Sequence, residues 1–186
     1  KGVGRIGKLP PGTAENGASY IHATAFGIMS LFQMGQAQKA WDQLYKILPF
    51  TDIHTNLSHS SFAMPNSYGY NPAKNLDGQN MNDWQTGSSN VVLKTLIRYV
   101  VGFEPMLDGL WIQPAAWMPF ESLQFTTHVR NCPLTIDYQN QGSTQRRFTI
   151  NGQPQEVTFD ATMNIDKLWI PYNQLDKRGL EIKVEQ

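Results

Sequence analysis

Cysteine is almost missing from this chain. Cys132 is the single one, so there is no internal disulfide and no Cys-rich metal site. Beside Pro133, between two strand-like runs, it reads as a packed, inert thiol. Excess charge of one sign is also missing. The formal net charge is zero, whereas a nucleic-acid binder normally carries a basic patch. The adjacent pair Arg146-Arg147 reads as two solvated charges in a turn. No run approaches the ~20 apolar residues of a membrane span. No His-x-x-x-His or related metal spacing occurs, and no P-loop Lys follows the small residues at 86–89. His54 and His59 lie five apart in a loop-like stretch and read as solvated, and His128 reads as structural. What is left is a folded soluble chain of 186 residues, 40% hydrophobic, sized for one or two domains.

The opening "KGVGRIGKLPPGT" starts at Lys1 and has no apolar h-region, so it is not a signal peptide. It reads as the interior of a longer protein or as a mature end after cleavage. From Tyr20 to Pro49 the period is helical. Ile21, Ala25, Ile28 and Phe32 share one face, with Met29 beside them, and Gly35 supplies a stop. Ala37, Ala40, Trp41, Leu44, Ile47 and Leu48 form a second stripe that closes at Pro49. The short connection predicts antiparallel neighbours. Residues 50–82 show neither period and are rich in Asn, which reads as a long functional loop. A third helix is predicted from about Ser88 to Val101, ending at Gly102. Val91, Val92, Leu93, Leu96, Ile97, Val100 and Val101 make it apolar round most of its surface, so burial on more than one side is expected. Three helices cannot easily enclose their own core, and further partners are expected outside this chain.

After Gly109 the period falls to two. Leu110 and Ile112 alternate, as do Leu123 to Val129, Leu134 to Tyr138, Phe148 with Ile150, and Leu180 to Val184. "NQGS" at 140–143, "NGQP" at 151–154 and Gly179 separate them. Short strands at such intervals predict an antiparallel sandwich, with the boundary in "FEPMLDG" at 103–109.

Two stretches carry candidate chemistry. In "TAENGASYIHATAFG", His22 falls on the first turn of a helix, after Glu15 and Asn16. It is either a helix-start imidazole satisfied by a backbone partner or a donor aimed into a pocket; Glu15 and Asn16 are ordinary turn residues on the first view. In "DWQTGSSNVV", Thr86 or Ser88 suits an N-cap. The same stretch suits an anion, because a helix N-terminus offers free N–H groups and partial positive charge. Gly87 would let the backbone approach a ligand, and Trp84 offers a flat face for a sugar ring or for packing. Among Glu15, Asp52, Asp77, Asp83, Glu104 and Asp108, spacing selects no acid and base pair for glycoside hydrolysis.

Residues 13–140 resemble the C-terminal part of glycoside hydrolase family 94, which contains cellobiose, chitobiose and related disaccharide phosphorylases. The resemblance rests on Glu-Asn-Gly followed by a His opening a helix, on Trp-x-Thr-Gly before another helix, and on "GFEPMLDGLWIQP" at 102–114. Ala14 stands where the family commonly has Lys, and "SSNV" at 88–91 stands where it often has Thr-Ala-Ser-Trp. The resemblance implies the last helices of a six-hairpin (α/α) barrel over 1–105, then an antiparallel β-sandwich over 106–186. It implies that His22, Thr86 and Gly87 hold inorganic phosphate, with Glu15, Asn16 and Trp84 on the sugar side. No catalytic residue is expected within the chain; the general acid, an Asp, would lie upstream on the same polypeptide. The implied substrates are a β-linked disaccharide or oligosaccharide and phosphate, with no metal, no cofactor, no nucleic acid and no membrane. A cytoplasmic homodimer is implied, with the periplasm as the alternative compartment. A water-using hydrolase on the same barrel and a non-catalytic carbohydrate-binding domain are the competing readings.

Overall fold

Residues 3–51, 64–82, 86–143 and 145–186 are described by the computed structural model, the side chain of Thr86 excepted. His54, His59, Asp52, Asp83 and Trp84 lie outside the described residues. Two compact units divide the chain, one of Lys1–Ser30 with Lys39–Thr95, the other of Leu31–Gln38 with Leu96–Gln186. Among the described residues, no helix is long and apolar enough to cross a membrane.

The expected helical stripes are the buried ones. Strand β1 (Ser19–Tyr20) leads into α1 (Ile21–Gln33), on which Ile21, Ala25, Ile28, Met29 and Phe32 are buried. Gly35 ends it. Gln36 N–H donates to the Leu31 carbonyl and Gly35 N–H to that of Phe32, and at φ 70° this closing position suits a residue without a Cβ. Helix α2 (Ala37–Ile47) buries Ala37, Ala40, Leu44 and Ile47.

The stretch 50–82 is not the structureless loop that its sequence suggests. It contains β2 (Ser67–Tyr68), a 3₁₀ turn at Pro72–Lys74 and β3 (Asn80–Met81), and β1, β2 and β3 form a three-stranded antiparallel sheet. Two-residue strands are too short to display a period, which is why pattern alone missed them. The Tyr68 hydroxyl donates to the Ile47 carbonyl at 3.0 Å, and burial holds its pKa well above the ordinary phenol value.

Helix α3 (Thr86–Thr95) starts two residues earlier than expected, and its regular bonding stops earlier too. Leu96–Val100 form a π-helical turn in which Val101 N–H reaches the Leu96 carbonyl at 2.9 Å. Thr95, fully buried, returns its hydroxyl to the Val91 carbonyl at 2.8 Å, a bond that competes with helix continuation. Within this chain Val92 is buried and Leu93 is 54% exposed, so the apolar surface of α3 is covered only in part.

The second unit is β-rich from Phe103 onward, slightly ahead of the expected start at 106. Strands β4 (Phe103–Pro105), β5 (Gly109–Ile112), β6 (Ser122–Val129), β7 (Cys132–Gln139), β8 (Arg147–Ile150), β9 (Gln153–Pro154), β10 (Thr158–Asp160), β11 (Ile165–Pro171) and β12 (Leu180–Glu185) make two sheets. One is four-stranded in the order β10-β11-β5-β4; the other is five-stranded in the order β6-β7-β12-β8-β9. The purely antiparallel expectation is corrected at one place: β12 pairs β7 in parallel, Ile182 opposite Ile136. A period of two fixes which side chains face inward but not the direction of the neighbour. Asn151-Gly152, with φ 49° and 79°, forms the expected two-residue turn between β8 and β9, and Arg130-Asn131 does the same between β6 and β7.

Arg146 also departs from expectation, because it is not a solvated turn residue. Its guanidinium donates to the carbonyls of Pro114 and Ala115 and, at 2.8 Å, to the Gln186 side-chain oxygen. Burial lowers its pKa, an effect partly offset by Tyr138 and Asp166. Arg146→Lys should therefore destabilise the chain by about 2 kcal/mol, because a point charge cannot reach three acceptors in a fork, and urea unfolding will measure it. Asp160 caps the β10–β11 turn. Its carboxylate takes Lys167 Nζ at 2.9 Å and the N–H groups of Thr162 and Met163, and Lys167, foremost, holds its pKa below the usual value. A depressed carboxylate stabilises above its unfolded pKa of about 4, and that contribution disappears as pH falls through the folded value. Asp160→Asn should accordingly lower Tm at pH 7, and the gap to the unsubstituted chain should close under strong acid in a pH series of melts.

Candidate functional site

All candidate site residues among the described residues belong to the first unit. The Ile21 N–H donates to the Asn66 carbonyl at 2.9 Å, so α1 begins where β2 begins. His22 follows at once, half-buried, with its ring centroid 6.4 Å from that of Tyr20 and 5.1 Å from that of Phe26. No hydrogen bond to the imidazole is found among the described residues, so the helix-start backbone partner is not seen there.

Gly87 meets this ring from the other side of the sequence. A Cβ built on Gly87 would lie 3.4 Å from His22 Nδ1 and 3.5 Å from Cε1. Gly87 is exposed, and it stands in the first turn of α3. Because α3 starts at Thr86, neither Thr86 nor Ser88 is the N-cap that the sequence suggested. Their N–H groups are first-turn donors without intrahelical partners. The arrangement is an imidazole edge beside the first turn of a helix, whose N–H groups suit an oxyanion.

Next to this corner, and sharing Tyr20 with it, is a cavity of about 680 Å³, within the ~300–1,000 Å³ typical of ligand sites. Arg5, Glu15, Asn66, Ser67 and Asn82 supply its polar groups. Ala14 and Asn82 on its wall hold left-handed backbone, φ 42° and 51°, a conformation kept only where surroundings enforce it. On the same turn, the Gly12 carbonyl accepts the Tyr70 N–H at 2.9 Å. A Cβ there would stand 2.0 Å from the Tyr70 oxygen, so the approach requires glycine.

The structure sets Gly87 beside His22 and puts Glu15 on the adjoining cavity, and Asn16, next to Glu15 in sequence, is not among the residues that line it. Glu15 is exposed at the cavity. The Asn16 amide is committed to the Leu9 carbonyl at 2.8 Å, while its own carbonyl accepts the Gly12 N–H at 2.7 Å. Asn16 therefore shapes the turn that carries Glu15. Glu104, a carboxylate considered from the sequence, bridges Arg98 and Gln113 in the second unit and is occupied there. Arg5, Tyr20, Asn66, Ser67 and Asn82 were not foreseen. The last four lie on or beside the two-residue strands, which have no sequence period. No group of His, Cys, Asp and Glu suited to a metal exists among the described residues.

Comparison with known proteins adds independent findings. The model of the glycosyl hydrolase 94 superfamily catalytic domain matches residues 1–102. A solabiose phosphorylase from Paenibacillus borealis is 29% identical over 166 residues, covering 86% of this chain and 21% of that protein. A cellobionic acid phosphorylase from Neurospora crassa is 29% identical over 140 residues, covering 73% and 18%. A 3-O-β-D-glucopyranosyl-β-D-glucuronide phosphorylase from Paenibacillus borealis is 28% identical over 140 residues, covering 69% and 18%. The chain spans about a fifth of the length of these curated relatives.

The close approach of Gly87 to His22 gives a direct test. Gly87→Ala should keep or raise helix stability, by up to about 1 kcal/mol from propensity. The same methyl would occupy the gap beside Nδ1, so protection against heat by sulfate or phosphate should fall. Melting curves with and without the anions, for both sequences, separate the two effects.

Proposed function

The chain belongs to the glycosyl hydrolase 94 superfamily, and from that premise we propose that it is the C-terminal segment of an inverting phosphorylase acting on β-linked disaccharides or oligosaccharides. In this reading it carries the phosphate-binding side of the active site. Residues 1–105 are then the last helices of an (α/α) barrel and residues 106–186 a β-sandwich domain. The observation that carries the reading is the 3.4 Å approach of the His22 imidazole to the Cβ position of Gly87, on the first turn of α3.

Phosphate would rest at that corner. Backbone N–H groups of α3 would bind its oxygens, and the imidazole and the Thr86 hydroxyl would add donors. A phosphate oxygen attacks the anomeric carbon. The glycosidic C–O bond breaks as the new C–O bond forms on the opposite face, so the configuration inverts. The leaving oxygen takes its proton from a carboxylic acid, an Asp expected upstream in the same polypeptide and absent from this chain. Phosphate is itself the nucleophile, so no carboxylate base is needed, and no metal or cofactor enters the scheme. Glu15, and in this reading Trp84, stand on the sugar side, with Asn16 shaping the turn that carries Glu15. The isolated segment is inactive in this account, and the parent works as a cytoplasmic homodimer.

The three relatives above are all phosphorylases, which supports phosphate over water. The test is phosphate dependence in the full-length parent. His22→Ala and Thr86→Ala should each raise the KM for phosphate by roughly tenfold to a hundredfold, the value of one charge-assisted hydrogen bond. Glycoside cleavage at full rate in phosphate-free buffer would make the water-using hydrolase the correct reading instead.

A further inference from the structure

We infer that the outer edge of β6 is a dimer interface, at which β6 pairs antiparallel with the same strand of a second copy. The inference rests on the homodimer part of the reading above and on nothing about phosphate. Among the described residues, four strands stand at the edges of the second unit's sheets: β4 and β10, β6 and β9. An open strand edge invites pairing, and proteins guard such edges by keeping them short or by placing proline or charge on them. Three of the four are guarded. Strand β9 is two residues with Pro154, β4 is three residues ending in Pro105, and β10 is three residues closed by Asp160. Strand β6 is not. It runs for eight residues without a proline, Lys, Arg, Asp or Glu. Its register to β7 is unbroken from Ser122 opposite Gln139 to Val129 opposite Cys132, so no bulge turns it away.

The ladder shows which backbone groups of β6 face outward. The two-residue turn at Arg130-Asn131 makes Val129 and Cys132 the closing hydrogen-bonded pair. Alternation then directs the N–H and C=O of Leu123, Phe125 and Thr127 to β7, and those of Ser122, Gln124, Thr126 and His128 away from it. Pro133, with no N–H to give, stands opposite His128, as this pattern requires. Among the described residues, no backbone hydrogen bond is made on the outer side. The same four residues are exposed and polar, with no carboxylate or ammonium to repel a second copy. An antiparallel pair of one strand with itself has twofold symmetry, so it closes and does not propagate. About an axis at Thr126, the two threonines form a favourable cross-strand pair and Gln124 meets the partner's His128. The ends match as well. Phe120, just before β6, is 37% exposed. Leu107, 92% exposed, is tied to the other end, because Arg130 donates to its carbonyl at 3.4 Å. Antiparallel pairing brings Phe120 to the end where the partner's Leu107 stands, apolar against apolar. The two five-stranded sheets become one across the pair.

The experiment uses the full-length parent, and sedimentation velocity over a range of concentrations should show a dimer. Thr126→Lys sets two like charges together at the axis and should weaken dimerisation roughly a hundredfold. Gln124→Pro removes an outward N–H, a change that an edge strand tolerates, and should weaken it as well. Thr126→Val, which keeps the strand and adds no charge, should leave the dimer intact. Should a variant fail to fold, hydrogen exchange on the unsubstituted parent decides. The amides of Ser122, Gln124, Thr126 and His128 should be protected in the dimer and should lose that protection as dilution dissociates it. A parent that stays monomeric, or a dimer indifferent to both Thr126→Lys and Gln124→Pro, would overturn the inference. So would protection of the four amides in the monomer, because an upstream segment of the same polypeptide would then cover the edge. Phosphate dependence is measured apart from mass. A dimer through β6 that cleaves without phosphate sinks only the phosphorylase reading, and a phosphate-dependent monomer sinks only this one.

Discussion

The backbone of Asn66 is the constraint on which the site depends. Its carbonyl accepts the N–H of Ile21, the first residue of α1, and its own N–H is shared between the carbonyls of Met81 and Asn82 at 3.0 and 2.9 Å. One peptide unit thereby ties the start of a helix to the end of a hairpin-like excursion. The ladder beside it sets Tyr20 opposite Ser67 and fixes the orientation of the helix start. His22 inherits its position from this, one residue into the helix. Asn82 is returned to the same place four residues before α3, and Gly87 arrives against the imidazole. Without those bonds the two halves of the corner, 65 positions apart in sequence, would have no reason to meet.

Magnitudes explain why the corner needs several donors. A helix N-terminus on an exposed surface is worth only ~0.3–1 kcal/mol to an anion, and Gly87 is exposed. The helix end alone is a weak site. In the proposed reading, an imidazole on its edge and a glycine without a Cβ would add to it, so that one oxyanion could meet donors from two helices. The adjoining cavity is of another kind. It mixes Arg5 with Glu15 and fills the rest with amides and a hydroxyl, so it offers directed hydrogen bonds more than net charge. The helix-end corner and the polar cavity thus lie side by side on one short ladder.

The second unit solves a different problem, that of backbone carbonyls stranded between strands. Arg146 takes the carbonyls of Pro114 and Ala115 where the chain runs from β5 toward β6. Glu104 on β4 gathers Arg98 from the π-helical turn and Gln113 beyond β5. Trp111 and Trp169 pack across β5 and β11 with ring centroids 4.8 Å apart, and Lys167 lies 4.6 Å over Trp111. Charged side chains here act as connectors within a framework, which is why a count of carboxylates along the chain could not tell a functional one from a structural one.

The sequence by itself determined the elements whose residues repeat. The stripes of α1 and α2, the alternation in β5 to β8 and β12, and the turns at Gly35 and Asn151-Gly152 are all legible, because a period of 3.6 or 2 and a residue suited to positive φ are local properties. The motifs around His22 and Thr86-Gly87 were legible as well, through resemblance and the chemistry of helix termini. Only the tertiary structure decided that Arg146 is buried, that β12 runs parallel to β7, and that α3 yields to a π-helical turn. It alone placed Ser67 and Arg5 beside Glu15. Those facts rest on contacts between residues far apart in the chain, made by segments too short or too irregular to carry a period, and local pattern holds no record of which distant backbone group will complete a hydrogen bond.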